Sequence, residues 1–511
     1  KEKKQISCSD QQLSEFFSLI EYHSLNNKRG KIASDAIYYP KQEEIKDEFF
    51  FNLKRWRKEL RDYLFNKQKD LEAEEIDNQT QRILDRLIFI DFCYDKKIIS
   101  QDFLGAVVFS SGNFYSELRR IFRQFDEQFN SEIFREDKCD AFDIPNDVSE
   151  GIIKGINHID FSSLNAHIIG EVYENYLGEL LKSGKKQINI GSETKTSFKR
   201  KSQGIYYTPA YIVDYIVKNT LGELLKDCKT EKEIEKIKVI DPSCGSGSFL
   251  IRAFDYFLEA YQKVNPKRQL TLDGELNIRK KILLHNLFGV DLDEKAVEIA
   301  KLNLLLRGIE GLQETGNTGK KMLPNLSLNI RCGNSLVSGK YEDEETESEN
   351  SQLSLIFDKH SEHKNNIKAL IELKDRFYLE EDNDKKDDII NQVHKHEYKI
   401  NKYLNKNLED YFDDVEKIKP FNYEVAFCEV MKKGGFDCVI GNPPYKMFSR
   451  VTGTDSKGYS DEEKIYFNKV YRDSAEYKLS MYAIFSNKAM SLMRTNGRFG
   501  YILPDSYILG F

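Results

Sequence analysis

The spacing of apolar residues changes once along this chain of 511 residues. Up to about residue 180, apolar side chains recur at helical spacing, as in QRILDRLIFIDF (81–92) and IIGEVYENYLGELL (168–181). That period predicts amphipathic helices that bury one face. We interpret residues 1–181 as a helical domain whose helices build a core and carry no chemistry of their own.

A second region begins after a polar, basic segment, residues 182–203, which contains Lys199, Arg200 and Lys201. We interpret this segment as a linker whose charges are either solvated or in contact with phosphate. Beyond it, short apolar runs alternate with helical patterns, which predicts a parallel, doubly wound α/β sheet within residues 204–511. The runs predicted as strands are 236–241, 286–291, 326–332, 436–441 and 498–504.

A long insertion, residues 338–420, separates the third and fourth of these strands. It opens with the acidic sequence YEDEETESEN and continues with charged sequence of helical period. We predict a surface excursion, in the form of a helical hairpin, without a catalytic role.

Composition excludes some classes of protein and leaves others open. No apolar run is long enough to span a bilayer and no signal segment is evident, so we expect a cytoplasmic protein without a membrane partner. The eight cysteines include no C-x-x-C pair and the eight histidines form no ligand pattern, which argues against a metal site or a disulfide framework. The net charge of −7 does not indicate whether the protein binds nucleic acid, because a local basic groove is sufficient for binding.

A glycine-rich turn follows the first predicted strand in VIDPSCGSGSFLIRAF (239–254). Gly245 and Gly247 allow a ligand to approach the backbone, and the start of the next helix favours the ligand's anionic part. The lysine of a P-loop and the third glycine of the dinucleotide fingerprint are both absent. The pattern therefore predicts a different nucleotide-type site at the carboxyl end of the strand.

Polar residues also end the second and third predicted strands. Asp291 is placed to accept hydrogen bonds from two ribose hydroxyls, whereas Asp293 is expected to cap the helix that follows. Asn334 either contacts an adenine edge or serves only as a turn residue.

The sequence NPPY (442–445) follows the fourth predicted strand. Because Pro443 and Pro444 fix the backbone, the Asn442 side-chain oxygen and the Pro443 carbonyl become paired acceptors. They suit a planar amine that donates two hydrogens, such as adenine N6, and Tyr445 offers a ring face on which the base stacks. We predict Asn442, Pro443, Pro444 and Tyr445 as the catalytic residues.

Together, DPSCGSGSF (241–249) and NPPY resemble the gamma class of N6-adenine DNA methyltransferases, and GIYYTPAYIVDYIV (204–217) is similar to that family's leading motif. With the helical region, the insertion and YEVAFCEVMKKGGFDCVIGNPPY (423–445), the chain looks most like the methyltransferase part of Type IIG restriction–modification enzymes or of related phage-exclusion methyltransferases. The resemblance implies a Rossmann-like S-adenosylmethionine-dependent methyltransferase fold, preceded by an α-helical domain, with double-stranded DNA as the partner. The cofactor-binding residues that it implies are Tyr207, Thr208, Pro209, Asp241, Pro242, Gly245, Gly247, Asp291 and Asn334.

The chain also departs from this family. Asn334 stands where smaller members have Asp, and the late aromatic, strands six and seven and the target recognition domain are not found before Phe511. We therefore expect a recognition domain or a specificity subunit outside this chain. The nuclease pattern of Type IIG enzymes has only Asp35, Glu44 and Lys46 as a candidate, in sequence that does not suggest a β-hairpin, so we predict no metal site.

Other functions remain open from the sequence alone. The chain has features of a Type I modification subunit, and RNA adenine or protein glutamine are alternative planar amines for an NPPY loop. The pattern of residues does not give a DNA recognition sequence.

Overall fold

The computed structural model describes residues 31–129, 132–183, 208–266, 271–312, 322–339, 361–380, 383–445, 460–472 and 480–504. Its α-helices before the sheet are α1 (Lys31–Lys67), α2 (Ala73–Asp95), α3 (Phe103–Val108), α4 (Phe114–Phe129), α5 (Asn146–Ile156) and α6 (Ala166–Ser183). The later ones are α7 (Ala210–Asn219), α8 (Leu221–Lys226), α9 (Glu231–Lys236), α10 (Ser248–Val264), α11 (Leu272–Lys281), α12 (Glu294–Ile309), α13 (Ser361–Leu379), α14 (Asn383–Leu404), α15 (Val415–Ile418), α16 (Tyr423–Ala426), α17 (Cys428–Met431), α18 (Asp461–Val470) and α19 (Met481–Leu492). Among the described residues, no helix is long and apolar enough to cross a membrane.

The strands form one parallel sheet whose order is β3-β2-β1-β4-β5. They are β1 (Val239–Asp241), β2 (Leu287–Asp291), β3 (Ile330–Cys332), β4 (Phe436–Gly441) and β5 (Met493–Tyr501). All five predicted strands are therefore present.

Four of the predicted strand starts are wrong for local reasons. Helix α9 includes Lys236, and a π-helical turn, Ile282–Asn286, delays the second strand. The third begins late because the backbone N–H groups of Asn329 and Ile330 both donate to the Leu326 carbonyl in a turn. The fifth begins early because Met493 already pairs with Phe436 of β4. An irregularity that includes Asn496, with φ of 66°, separates that pair from the regular pairing that starts at Arg498.

Both faces of the sheet are buried. Val239 and Cys438 belong to a core that includes residues of α7, α10 and α12, whereas Ile240 and Val439 pack with residues of α16, α17 and α19. Successive side chains of a strand point to opposite faces, so helices cover the sheet on both sides. The predicted doubly wound α/β fold is confirmed.

The helices that precede the sheet share its core. Residues from α1 to α6 belong to the same buried cluster as Val239. Helix α6 approaches α12 closely because Gly170 has no side chain: a Cβ atom there would lie 2.9 Å from Asn303 Nδ2. An ion pair between Asp77 and Lys295, at 3.4 Å, also joins the two parts of the chain. The predicted division at residue 181 stays a prediction, and Lys199–Lys201 lie outside the described residues.

Helices α13 and α14 pack against each other as a hairpin within the insertion. They also dock firmly: Arg331 of β3 is 2.7 Å from Glu397 of α14, and Lys374 of α13 lies 3.0 Å from Glu429 and donates to the Ala426 carbonyl. Lys374 is fully buried, and a buried charge is tolerated only with such partners. Helices α13 and α14 are thus packed beside β3 through these contacts, whereas the acidic sequence that opens the insertion lies outside the described residues.

Candidate active site

The carboxyl ends of β1, β2 and β4 meet at one edge of the sheet. Asp241 ends β1, where its Oδ1 atom accepts a hydrogen bond from the Ser243 backbone at 2.9 Å. Asp291 ends β2, and its Oδ2 atom accepts from the Gly245 backbone at 2.9 Å. Gly441 ends β4 so close to Asp241 that a Cβ atom there would lie 2.6 Å from Oδ1. The adjacent parallel strands therefore bring these sequence-distant segments together.

The glycine-rich turn lies between these strand ends and helix α10. Gly245 and Gly247 have φ of 52° and 87°, in the left-handed region that favours glycine. A Cβ atom at Gly245 would meet nothing within 4 Å, so this side of the turn is open, whereas Gly247 packs against Ala300 of α12. The turn leads into the start of α10, whose free N–H groups favour negative charge.

Asp241 and Asp291 are carboxylates in a water-poor environment. Asp241 is only 1% exposed, and its Oδ2 atom has no hydrogen-bond partner among the described residues. Burial raises the pKa of Asp241 to about 8, and the charge of Asp291 adds to that rise. Burial likewise raises the pKa of Asp291 to about 6, although the backbone N–H groups of Asp293 and Gly245 favour its charged form. Both carboxylates would gain from a ligand that donates hydrogen bonds or carries positive charge.

Asp293 and Asn334 both make turn or capping contacts. Asp293 caps α12, as predicted, by accepting from the Lys295 backbone at 3.0 Å. Asn334 Oδ1 accepts from the Leu336 backbone at 3.1 Å, which favours the turn interpretation for that atom. The loop is tied to the first strand end because Ser335 Oγ donates to the Pro242 carbonyl at 2.6 Å. Contact of Asn334 with adenine stays a prediction.

The NPPY loop lies against the leading motif. Asn442 Nδ2 donates to Thr208 Oγ1 at 2.9 Å, and Thr208 is 4% exposed. Thr208 and Pro209 immediately precede the first residue of α7, Ala210, and Tyr207 lies outside the described residues. Because Thr208 engages Nδ2, Oδ1 is the atom that Asn442 presents as an acceptor.

Tyr445 is fixed at its hydroxyl. Tyr445 OH donates to the Ile502 carbonyl, just beyond β5, at 3.0 Å. The neighbouring Pro443 is buried and Pro444 is half-buried. The ring of Tyr445 is therefore held in place, as a platform for stacking requires.

The sequence analysis missed Glu174, which reaches this site from helix α6. Ser246 Oγ, within the glycine-rich turn, donates to Glu174 Oε2 at 3.0 Å. Burial raises the pKa of Glu174 to about 7. No local pattern in the sequence points to this contact, because the apolar residues around Glu174, such as Tyr173 and Tyr176, indicate only a helix that packs into a core.

The candidate nuclease residues do not form a β-hairpin. The segment from Asp35 to Lys46 is part of helix α1, and Lys46 pairs with Glu171 of α6 at 3.3 Å. Within the described ranges, no group of His, Cys, Asp and Glu side chains could hold a metal ion.

Two family models match overlapping parts of this chain. One, described as N-6 DNA Methylase, matches residues 165–351. The other, described as Eco57I restriction-modification methylase, matches residues 285–510. The first match begins one residue before helix α6 and includes the glycine-rich turn, and the second includes the NPPY loop.

Curated relatives resemble the chain over most of its length. A type II restriction enzyme and methyltransferase, so named in Methanocaldococcus jannaschii, is 26% identical over 92% of this chain and 50% of its own length. The type II restriction enzyme and methyltransferase RM.Eco57I of Escherichia coli is 24% identical over 91% of this chain and 39% of its own. The methylase subunit of the type I enzyme EcoEI of Escherichia coli is 24% identical over 48% of this chain and 41% of its own. The chain thus spans half or less of the length of these relatives.

Proposed function

We propose that this chain acts as an N6-adenine DNA methyltransferase of a restriction–modification system and transfers a methyl group from S-adenosylmethionine to N6 of adenine in double-stranded DNA. The observation that carries the proposal is the contact between Asn442 and Thr208. It sets an amine-accepting loop directly beside the motif that resembles a cofactor-binding one. A binding module would have no need for that juxtaposition.

The residues present fit the cofactor. Asp291 is placed for the ribose hydroxyls, and the open side of Gly245 lets a ligand approach the backbone. The start of α10 favours a carboxylate, and the orphaned Asp241 Oδ2 atom is ready to accept a hydrogen bond. When bound, S-adenosylmethionine supplies an electrophilic methyl group on a sulfonium.

The chain's own residues activate and orient the amine. The target adenine must leave the duplex to reach them. Asn442 Oδ1 and the Pro443 carbonyl each accept a hydrogen bond from one N–H group of the N6 amine. This pair of hydrogen bonds favours a pyramidal nitrogen with an available lone pair. Thr208 fixes the orientation of the Asn442 amide, and Tyr445 supports the base by stacking.

The transfer itself needs positioning above all. With S-adenosylmethionine bound, transfer of its methyl group to N6 would release S-adenosylhomocysteine, and the amine would lose one proton to solvent. Holding the reacting atoms about 3–3.5 Å apart supplies much of the rate. The residues that hold the amine, Asn442 and Pro443, therefore carry most of the catalytic role.

The similarity favours a type II arrangement over a type I subunit. The match to type II enzymes extends over about nine-tenths of the chain, including the helical region, whereas the type I methylase subunit matches less than half. Recognition of the DNA sequence is then carried out by a domain or subunit outside these residues. The protein acts in the cytoplasm, where chromosomal or invading DNA is found. The family match to DNA methylases disfavours RNA adenine and protein glutamine as substrates.

The test is the identity of the methylated nucleoside. The complete coding sequence is expressed in a bacterium without DNA adenine methylation, and nucleosides from DNA and RNA are analysed by mass spectrometry. We expect N6-methyladenine in DNA, and its loss in the Asn442→Ala variant. Appearance of 5-methylcytosine, or of the modification in RNA alone, would contradict the proposal.

A further inference from the structure

Helix α6 holds the glycine-rich turn together with the sheet domain. Ser246 is bound from two sides: its Oγ atom donates to Glu174 of α6 at 3.0 Å, and its carbonyl accepts from Asn303 of α12 at 2.9 Å. The close approach of α6 at Gly170 makes both contacts possible, because the Gly170 backbone lies against Asn303. The helical region is therefore part of the wall of the cofactor site.

Glu174 adds a third carboxylate to this wall. Asp241, Asp291 and Glu174 each accept a hydrogen bond from a different residue between Ser243 and Ser246. The charge of Asp291 raises the pKa of both Asp241 and Glu174, in addition to the larger effect of burial. The other charged group that raises the pKa of Glu174 is the carboxylate of Glu171, one turn earlier, and that residue is paired with Lys46.

Such an arrangement favours a positively charged ligand. Buried carboxylates repel one another and have lost their hydration, which is costly unless a cation or hydrogen-bond donors compensate. Asp241 is 1% exposed and its Oδ2 atom has no hydrogen-bond partner among the described residues, so the wall holds a buried polar atom that a donor on a ligand could satisfy. As a whole residue Glu174 is half-buried, and its carboxylate lies against the glycine-rich turn through Ser246.

We propose that Glu174 is a cofactor-binding residue supplied by the helical region, and that its carboxylate holds the ammonium group of the methionine end of S-adenosylmethionine. This inference rests on the proposed function. An ammonium group brings three N–H donors, whereas the sulfonium brings none. The ammonium is therefore the better match for the Glu174 carboxylate, beside the side-chain hydrogen bonds it has with Ser246 and Ser248.

The raised pKa of Glu174 predicts that cofactor binding also changes the protonation of its side chain. The pKa of Glu174 is about 7, so near neutral pH the side chain is partly protonated before the ligand binds. A bound ammonium favours the charged form and lowers that pKa. Cofactor binding should therefore release protons, in part from Glu174.

The experiment is calorimetric titration of the full chain with two ligands. S-Adenosylmethionine carries the ammonium, and 5′-methylthioadenosine has the same nucleoside without the amino-acid end. Glu174→Gln keeps an oxygen that accepts from Ser246 but removes the charge, and Glu171→Gln removes a charge one turn away on the same helix. We expect Glu174→Gln to weaken the affinity for S-adenosylmethionine about tenfold to hundredfold. Its affinity for 5′-methylthioadenosine should stay within about twofold of wild type. Glu171→Gln should bind both ligands with an affinity close to that of wild type.

Proton release gives an independent readout. Titrations at pH 7 in two buffers of different ionisation enthalpy should show fewer protons released by Glu174→Gln than by wild type. Three results would each overturn the inference. They are an unchanged affinity of Glu174→Gln for S-adenosylmethionine, an equal loss of affinity for both ligands in Glu174→Gln, and an equally weakened affinity for S-adenosylmethionine in Glu171→Gln. A wild-type chain that binds no S-adenosylmethionine would instead overturn the proposed function.

Discussion

Replacing Thr208 by Val tests whether the leading motif orients the catalytic amide. Valine has nearly the shape of threonine but no hydroxyl, so Asn442 Nδ2 loses the acceptor that lies 2.9 Å away. The amide then loses a contact that fixes its orientation, and its N–H group can more easily occupy the place where Oδ1 should accept from the substrate amine.

The size of the effect follows from burial. Thr208 is 4% exposed, so water does not readily replace the lost acceptor. Leaving a buried donor unsatisfied costs about 1–3 kcal/mol, which corresponds to a rate loss of roughly fivefold to 150-fold. Thr208→Ser keeps the hydroxyl and should recover most of the rate.

The assay separates orientation from cofactor binding, since Thr208 is also predicted to contact the cofactor. S-Adenosylmethionine affinity is measured by calorimetry, and kcat is then measured at saturating cofactor for both variants. The reasoning predicts a fall in kcat for Thr208→Val that saturating cofactor does not remove. If kcat at saturation stays within twofold of wild type, or if Thr208→Ser is as impaired as Thr208→Val, Thr208 does not orient Asn442.

Three further changes test the rest of the structure. Asp291→Ala should weaken S-adenosylmethionine about 10–150-fold in calorimetry, since a charged acceptor for the ribose is lost; unchanged binding would exclude that role. Because burial raises the pKa of Asp241, the folded state favours the neutral form of this side chain. Neutral Asp241 therefore stabilises the fold at acid pH, and that contribution to the free energy of unfolding is lost as pH rises towards about 8. Without cofactor, the Tm of wild type should fall relative to that of Asp241→Asn over this range, and a constant difference would refute the argument. Glu429→Gln should cost about 3–5 kcal/mol in urea unfolding because buried Lys374 loses its oppositely charged partner and keeps only the Ala426 carbonyl. Glu372→Gln, in an exposed pair, should cost about 0–1 kcal/mol, and equal losses would contradict the buried-pair account.

Features that depend on local chemistry were predictable from the sequence. Glycine permits, and proline fixes, particular backbone conformations, so the conformations of the glycine-rich turn and of NPPY could be predicted from residue type. Gly245 and Gly247 do adopt positive φ. The ends of β1, β2 and β4 coincide with Asp241, Asp291 and Gly441, since each apolar run stops at that residue.

Features that depend on packing between distant segments were not predictable. Glu174 lies on a helix whose apolar stripe indicates only a core, and its contact with Ser246 joins residues 72 positions apart. The docking of the insertion depends on Lys374, a charge that sequence reasoning places in solvent but that the structure buries beside Glu429. In both cases a charged side chain is held by a partner that no local pattern identifies.

The most direct test of the account compares binding with transfer in Asn442→Ala. Single-turnover transfer of a labelled methyl group to duplex DNA is measured alongside the calorimetric affinity for S-adenosylmethionine, using the protein with its recognition domain or subunit. If Asn442 accepts the adenine amine, transfer should fall on the order of a hundredfold or more, while cofactor affinity stays within about threefold of wild type. Transfer at the wild-type rate, or loss of cofactor binding in step with transfer, would contradict the assignment of this loop as the catalytic centre.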